Sequence, residues 1–249
     1  MWRLIVDGPR NAAWNMALDE AILEARIQGV VPNTLRIYVF SPSAVSIGYF
    51  QKIKESVVFK RIRDYGYDIV RRPTGGGSVF HDEFGEITYS VIADEKTVGF
   101  DLVESYQYIC RGLIETLKIF GIEANFKPIN DVIVNGRKIS GNAQLRRKGI
   151  VLQHGTLMYN TRLELLRAFL RVPKVKQEIK SAARSTGVTT ISRELGRVVS
   201  LREVLNALIM GFEKTFGEMD GESYTPLEIE LAFRLFRDKY SSEKWLFKR

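Results

Sequence analysis

Apolar residues in the first half of the chain recur at the spacings of β-strands and of amphipathic helices, and these spacings predict that strands and helices alternate along the chain. The segment WRLIVDG reads as a strand, and NMALDEAILEARIQG, with apolar residues at 16, 17, 21, 22 and 23, reads as an amphipathic helix followed by glycine. TLRIYVF and SAVSIGYF are rich in β-branched and aromatic residues and predict strands, whereas ESVVFKRIRDYG predicts a helix. YDIVRRP then leads as a strand into a run of glycines, and VESYQYICRGLIETLKIFG predicts a longer helix.

The second half begins with β-rich segments and becomes mainly helical. DVIVNGRKISG and GIVLQHGTLMYN predict strands, and SLREVLNALIMGFEKTFG is the clearest of the later helices. TPLEIELAFRLFRDKY places Pro226 at the first helical position within a Thr-x-x-Glu capping pattern, so a helix is expected there as well. No repeat, low-complexity tract or linker is evident. We therefore predict one mixed α/β domain over residues 1–249, with a helical end from about residue 201.

The glycine run, Gly75-Gly76-Gly77, is predicted to connect two strands. The residues after it read as a strand, a short turn and a second strand, so it does not open a helix as phosphate-binding glycine loops commonly do. Such a loop can bring backbone N–H groups close to a ligand, and Arg71 and Arg72 enter beside it, which would suit an anion. The alternative is a tight β connection with both arginines in solvent, which is the commoner role of an isolated triple glycine.

A hairpin is predicted at Asn135-Gly136, because this dipeptide between β-branched runs favours a two-residue turn. The turn predicts the pairing of Val134 with Arg137, Ile133 with Lys138, Val132 with Ile139, and Asp131 with Ser140. On this register Lys138, Ile133, Asp131 and Ser140 share one face, and Asp131 lies diagonal to Lys138 at roughly 7 Å. A lysine beside a hairpin turn is ordinarily solvated, so the pair alone does not establish a site.

The composition limits the classes of binding partner that this chain is expected to have, but it does not select one of them. The formal net charge is +8, from 37 Lys and Arg against 29 Asp and Glu, which favours nucleic acid, a phosphorylated small molecule or an acidic protein as partner. One cysteine and two histidines exclude a disulfide framework and leave too few ligands for a zinc site, so we expect a cytoplasmic protein. No signal peptide or apolar stretch of 18 residues is evident, so no membrane association is expected.

Several motifs occur in an order that closely resembles the lipoate–protein ligase and octanoyltransferase family. They are SIGYFQ at 46–51, Arg-Arg-x-Thr-Gly-Gly-Gly-x-Val-x-His-Asp, Asn-Asp-Val with Gly-Arg-Lys-Ile-Ser-Gly-Asn-Ala-Gln, and Gln-His-Gly-Thr-Leu. The resemblance covers most of residues 1–217. It implies the fold shared by biotin ligases and class II aminoacyl-tRNA synthetase catalytic domains, a mixed β-sheet with helices packed on it.

The resemblance also implies a catalytic lysine, Lys138, which would bridge the α-phosphate and the acyl carbonyl of an acyl-adenylate. Asn130 and Asp131 are expected to position phosphate or its Mg²⁺, with Asp131 as the metal ligand, and His81 and His154 to be pocket residues rather than bases. The implied ATP and lipoyl-adenylate site comprises Arg71, Arg72, Gly75, Gly76, Gly77, Ser78, Val79, His81, Asn130, Asp131, Lys138, Gly141, His154 and Gly155.

The cysteine content separates two activities within the family. Members that move octanoyl or lipoyl groups between carriers without ATP use a cysteine thioester, either shortly before the Asn-Asp segment or after the His-Gly motif. Neither place holds a cysteine here, and Cys110, mid-helix among apolar residues, is expected to be a buried small hydrophobe. The sequence therefore favours ATP-dependent activation of lipoate, with octanoate as a further substrate and octanoyl or lipoyl transfer as the alternative activity.

The expected partners follow from the same resemblance. The acceptor would be an acidic lipoyl carrier domain, either of a 2-oxoacid dehydrogenase E2 or of the glycine-cleavage H protein. Many related ligases continue into an accessory domain beyond the last predicted helix, so a separate accessory protein is expected. Biotin ligation is disfavoured because a Gly-Arg-Gly-Arg loop is absent, and nucleic-acid binding because aromatic residues do not interleave with QLRRKG at 144–149.

Overall fold

The computed structural model describes residues 1–171 and 187–249, in which two β-sheets are covered by helices. Its strands are β1 (Trp2–Val6), β2 (Asn33–Tyr38), β3 (Ala44–Ile47), β4 (Asp68–Arg71), β5 (Val79–His81), β6 (Glu86–Asp94), β7 (Asn125–Lys127), β8 (Asp131–Val134), β9 (Arg137–Arg147), β10 (Ile150–Met158) and β11 (Met219–Gly221). Its helices are α1 (Ala12–Ile27), α2 (Ile53–Ser56), α3 (Phe59–Asp64), α4 (Glu95–Val98), α5 (Leu102–Ile119), α6 (Leu163–Phe169), α7 (Ile191–Leu195), α8 (Leu201–Phe216), α9 (Pro226–Leu235) and α10 (Glu243–Leu246), with a π-helical turn at Phe236–Tyr240 between the last two.

The larger sheet has eight strands in the order β11-β1-β2-β6-β10-β9-β8-β7. β1 is parallel to β2 and β11, whereas β6, β10, β9, β8 and β7 pair antiparallel in succession. A second sheet of three strands, in the order β4-β3-β5, carries the two ends of the glycine run. The predicted mixed β-sheet with packed helices is therefore confirmed.

Helices α5 and α8 cover one face of the large sheet. Their apolar side chains join those of β6 and β10 in the largest buried cluster, which includes Cys110, Leu113 and Phe212. The two helices approach closely at Gly112, where a Cβ would lie 2.4 Å from the Phe212 ring. Cys110 is fully buried, which confirms its predicted role as a small core residue. Helix α1 covers the opposite face and packs against α9.

Two predictions for local structure have different outcomes. The Thr225 capping pattern is confirmed, because its hydroxyl accepts from the Glu228 N–H and the Glu228 side chain accepts from the Thr225 N–H. The single helix predicted for ESVVFKRIRDYG is wrong, since α2 and α3 are separate. The Val58 N–H donates to the Phe169 carbonyl at 2.9 Å, so pairing with a distant segment interrupts the helix.

The predicted helices of the later part of the chain and the absence of a predicted membrane span can be compared with the described residues only. The predicted helical remainder includes residues 172–186, which lie outside the described residues. Among the described helices, none combines the length and the apolar character needed to cross a bilayer.

Candidate active site

The glycine run lies between β4 and β5, as predicted, and its backbone conformation requires glycine at one position. Gly76 has a φ of +93°, and a Cβ there would lie 2.8 Å from Arg72 Nη2. Among the described residues, a Cβ at Gly77 would meet no atom within 4 Å, and one at Gly75 would meet only the Phe50 ring at 3.9 Å. The loop therefore has open space beside its backbone into which a ligand could approach.

Arg72 lies beneath this loop with its guanidinium buried. It donates to the carbonyls of Gly75 and Gly77, both at 2.7 Å, and to the Thr74 hydroxyl at 3.1 Å. Within the described residues no carboxylate lies within 4 Å of it, and burial lowers the pKa of Arg72 to about 10. A guanidinium that remains charged at neutral pH without a paired anion leaves net positive charge under the glycine run.

The Arg71 side chain does not lie under the glycine run but between two other chain segments. Each of its three guanidinium nitrogens donates to backbone carbonyls, those of residues 48, 49 and 51 on one side and of Trp245 and Leu246 on the other. Both arginines were expected at the adenylate. In this arrangement only Arg72 places its charge under the loop, because the Arg71 side chain is fully engaged in holding two chain segments together.

His81 and His154 are both buried and hydrogen-bonded to side chains near the glycine run. His154 Nε2 lies 2.7 Å from the Thr74 hydroxyl, and its Nδ1 lies 3.3 Å from Asp19. His81 Nδ1 lies 2.6 Å from Glu86 Oε1, and its Nε2 lies 2.8 Å from the Ser46 hydroxyl.

The protonation states of these histidines follow from burial. Burial and the charge of Arg72 lower the pKa of His81 to about 3, while burial and the charge of Asp82 raise the pKa of Glu86 well above its usual range. Burial also lowers the pKa of His154 despite its hydrogen bond to the Asp19 carboxylate. Both histidines are therefore neutral at pH 7, and their hydrogen bonds hold the residues around the loop in place.

The hairpin register agrees with the prediction next to the turn and departs from it further away. Val134 pairs with Arg137 and Ile133 with Lys138 as predicted. The predicted pairs Val132–Ile139 and Asp131–Ser140 are wrong, because a bulge makes Val132 pair with Ser140 and Asp131 with Gly141. Ile139 is the extra residue of this bulge, and both it and Ser140 are fully buried.

The predicted juxtaposition of Lys138 and Asp131 is confirmed. Lys138 Nζ lies 2.6 Å from Asp131 Oδ1, and both side chains are about one-third exposed. A Cβ on Gly141 would lie 2.5 Å from that Nζ, so this glycine leaves the space that the ammonium occupies. The Lys138 backbone is also paired, since its N–H donates to the Gly187 carbonyl and its carbonyl accepts from the Thr189 N–H.

Asn130, the residue before Asp131, is held by Asn142 through an amide network that the sequence did not predict. The Asn142 side chain donates to the Asn130 carbonyl at 2.9 Å, and the Asn130 side chain donates to the Asn142 carbonyl. Asn142 Oδ1 in turn accepts from the Tyr89 hydroxyl at 2.7 Å. A Cβ on Gly155, on the neighbouring strand, would lie 1.9 Å from that Oδ1, which explains glycine at this position.

Asp19 is the second residue that the sequence reading missed. Its carboxylate is fully buried and accepts from Arg36 and Ser90, both at 2.7 Å, as well as contacting His154. Burial raises the pKa of Asp19, but the bond to His154 and the charge of Arg36 outweigh that effect and lower it overall. The available signal was an acidic residue among apolar positions of the first helix, NMALDEAIL.

The described residues of this site offer few possible ligands for Mg²⁺. Among the described residues no three His, Cys, Asp or Glu side chains come together in a way that could hold a metal ion. Asp131 is a single carboxylate already paired with Lys138. It fits a magnesium ion only as one ligand among phosphate oxygens and waters, which is the mode that Mg²⁺ adopts with nucleotides.

Known proteins resemble this chain over nearly its whole length. An octanoyltransferase LipM from Kyrpidia tusciae is 36% identical over 276 residues, covering 100% of this chain and 99% of that protein. The octanoyltransferase LipM of Bacillus subtilis is 31% identical with coverage of 100% and 98%. These names favour octanoyl transfer over the ATP-dependent ligation that the sequence led us to expect.

Solved structures support the fold and the wider family. A chain from Thermoplasma acidophilum, solved in a study of a bi-partite lipoate protein ligase and its E2 lipoyl domain, superimposes with a TM-score of 0.84 at 32% identity, covering 98% of this chain and 95% of that one. A lipoate-protein ligase A bound with ATP gives a TM-score of 0.85 at 31% identity, with coverage of 98% of both chains. The family model for the lipoyl protein ligase A/B catalytic domain matches residues 11–213. This chain therefore belongs to the lipoyl protein ligase A/B catalytic domain family.

Proposed function

We propose that this chain transfers a lipoyl or octanoyl group from an acyl-adenylate to a lysine of a lipoyl carrier domain. The observation that carries the proposal is the buried charge of Arg72, which has no carboxylate partner among the described residues and lies under a glycine run with open space beside it. A bound phosphate would supply the missing anion, and backbone N–H groups could donate to it.

Lys138 is proposed to act on the charge that develops during transfer. Its ammonium, held by Asp131 at 2.6 Å, would exchange that carboxylate for the α-phosphate and the acyl carbonyl of the adenylate. The acceptor amine attacks the acyl carbon, an amide bond forms, the acyl–phosphate bond breaks, and AMP leaves while the amine loses a proton. The neutral histidines hold the pocket and take no part in this charge stabilisation.

The chain's single cysteine argues for an adenylate rather than an enzyme thioester. Cys110 is fully buried in α5, and burial raises the pKa of its thiol to about 12. A nucleophilic cysteine needs thiolate character and access to the substrate, and Cys110 has neither. ATP is therefore the proposed source of activation, and a solved relative described as bound with ATP is consistent with this. Asp131 is the residue that would help to hold Mg²⁺, which would neutralise phosphate charge.

The proposed partners are an acidic lipoyl carrier domain and an accessory protein. The solved relative from Thermoplasma acidophilum is described as a bi-partite ligase and its E2 lipoyl domain, which supports both. The net charge of +8 would speed encounter with an acidic domain, and added salt would slow it.

Octanoyl transfer between carriers is the second candidate, because the curated relatives at 31% to 36% identity are named octanoyltransferases. In this chain such a reaction would have to pass the acyl group directly to the acceptor lysine, since no accessible thiol is present to form an enzyme thioester.

One experiment separates the two candidates. The purified chain is incubated with a lipoyl domain and, in parallel, with ATP and lipoate, with synthetic lipoyl-AMP, or with an octanoylated carrier protein and no ATP. Each reaction is run with and without the accessory protein, and the acceptor mass is measured. We expect modification from lipoyl-AMP by the chain alone and from ATP with lipoate once the partner is added. Modification from the octanoylated carrier alone would establish the transferase instead.

A further inference from the structure

A neighbouring turn, residues 48–51, holds the loop that carries the glycine run. The Tyr49 N–H donates to the Thr74 carbonyl at 2.8 Å, just before the first glycine. A Cβ on Gly48 would lie 2.1 Å from the Gly76 carbonyl oxygen, so the two backbones are in direct contact at the middle of the run. The conformation of the glycine run therefore depends on where this turn lies.

Arg71 joins the 48–51 turn to helix α10. Nη1 donates to three carbonyls of the turn at 2.7 to 3.1 Å, and Nε and Nη2 donate to the carbonyls of Trp245 and Leu246 at 2.8 to 3.2 Å. In the opposite direction the indole Nε1 of Trp245 donates to the Arg71 carbonyl at 2.8 Å. A single buried guanidinium thus connects two segments nearly 200 positions apart in the sequence.

The Trp245 ring is itself held on several sides. Lys239 Nζ lies 4.2 Å from its centroid and Lys248 Nζ lies 5.0 Å from it, and the Tyr49 ring is tilted against it at 5.7 Å. Cations over an indole face stabilise its position. The following residue, Leu246, packs into the apolar cluster around Phe80 and Phe169 beneath the small sheet.

We propose that Trp245 is a positioning residue for the glycine run, acting through Arg71 and the 48–51 turn. In this arrangement α10 fixes the conformation in which the run faces a ligand, and Arg71 serves as the connection rather than as a ligand of the adenylate. The inference rests on the proposed function only in naming that ligand as an acyl-adenylate.

The test uses Trp245→Phe, which keeps an aromatic ring and removes the indole N–H that donates to the Arg71 carbonyl. Hydrogen–deuterium exchange should become faster in the peptide covering residues 74–78 and stay unchanged in β6 and β10. Affinity for a non-hydrolysable acyl-sulfamoyl adenosine should fall by about five-fold, the effect expected for one lost hydrogen bond. Trp245→Ala should enlarge both effects because the ring contacts are lost as well.

Phe247→Ala is the matched control, since Phe247 lies in the same segment, is 41% exposed and contacts Phe59 rather than Arg71. It should leave exchange at 74–78 and affinity unchanged. Unchanged exchange at 74–78 in Trp245→Phe, or acceleration spread equally over β6 and β10, would overturn the proposal. If the unmodified protein does not bind the adenosine analogue, the proposed function fails, while the exchange measurement still decides the role of Trp245.

Discussion

Replacing Gly141 with alanine should impair catalysis without impairing folding. The new Cβ would lie 2.5 Å from Lys138 Nζ and 2.6 Å from its Cε, and the next atom, Asp131 Oδ1, is at 3.8 Å. Ordinary contact requires the ammonium to retreat by roughly 1 Å, a displacement that can reduce a rate by about 100-fold in a preorganised site. We therefore expect acyl transfer to fall by about two orders of magnitude.

Stability should change little in this variant. Gly141 does not have a positive φ, and alanine in a strand is favoured over glycine by about 0.5 to 1 kcal/mol. Among the described residues, the atoms in the way belong to the end of the flexible, partly exposed Lys138 side chain, and a disrupted ion pair of this kind costs at most about 1 kcal/mol. These two contributions nearly cancel, so the melting temperature should stay within a few degrees of the unmodified protein.

The assay is single-turnover transfer from synthetic lipoyl-AMP to a lipoyl domain, measured by acceptor mass alongside thermal unfolding by circular dichroism. Gly221→Ala is the matched control, because Gly221 is also a strand glycine and a Cβ there would meet no atom of the described residues within 4 Å. It should transfer at the unmodified rate. An unchanged rate in Gly141→Ala would refute the reasoning that the ammonium position controls transfer.

Four further outcomes follow from the structure. Lys138→Ala should abolish acceptor modification, measured by mass, with an unchanged circular dichroism spectrum; near-normal transfer would remove its proposed role. Cys110→Ala should keep turnover within a few-fold, whereas a folded but inactive variant, or a thioester trapped on Cys110, would favour a transferase. Gly76→Val should weaken binding of the adenylate analogue in calorimetry, since φ is +93° and Arg72 Nη2 lies 2.8 Å from the new Cβ; unchanged affinity would limit the glycines to a structural role. The pKa of His81 is lowered from 6.5 to about 3, so this residue alone contributes a loss of up to about 2 kcal/mol of folding stability from pH 7 to pH 5, whereas Glu86, whose pKa is raised, contributes in the opposite direction. In urea unfolding His81→Gln should therefore lose less stability on acidification than the unmodified protein, and an equal loss in both would contradict this role.

The sequence by itself determined the features that depend on neighbouring residues. The Asn135-Gly136 turn forms because both residues adopt positive φ, and the Thr225 capping box forms because its partners lie three residues apart. The strand–glycine–strand order and the ordered family motifs could also be recognised in the sequence, so the mixed fold and the family could be predicted. The pairing of Lys138 with Asp131 followed from the turn and the alternation of faces.

Only the tertiary structure decided where charges are buried and which groups meet. The bulge at Ile139 shifts the register between Val132 and Ile133, which the pairing rules of a two-residue turn do not foresee. Two adjacent arginines have different partners: Arg71 donates to a carbonyl of α10, and Arg72 donates to a carbonyl of the glycine run. Their orientations depend on carbonyls presented by segments distant in sequence, because a buried guanidinium must satisfy its donors wherever packing supplies acceptors.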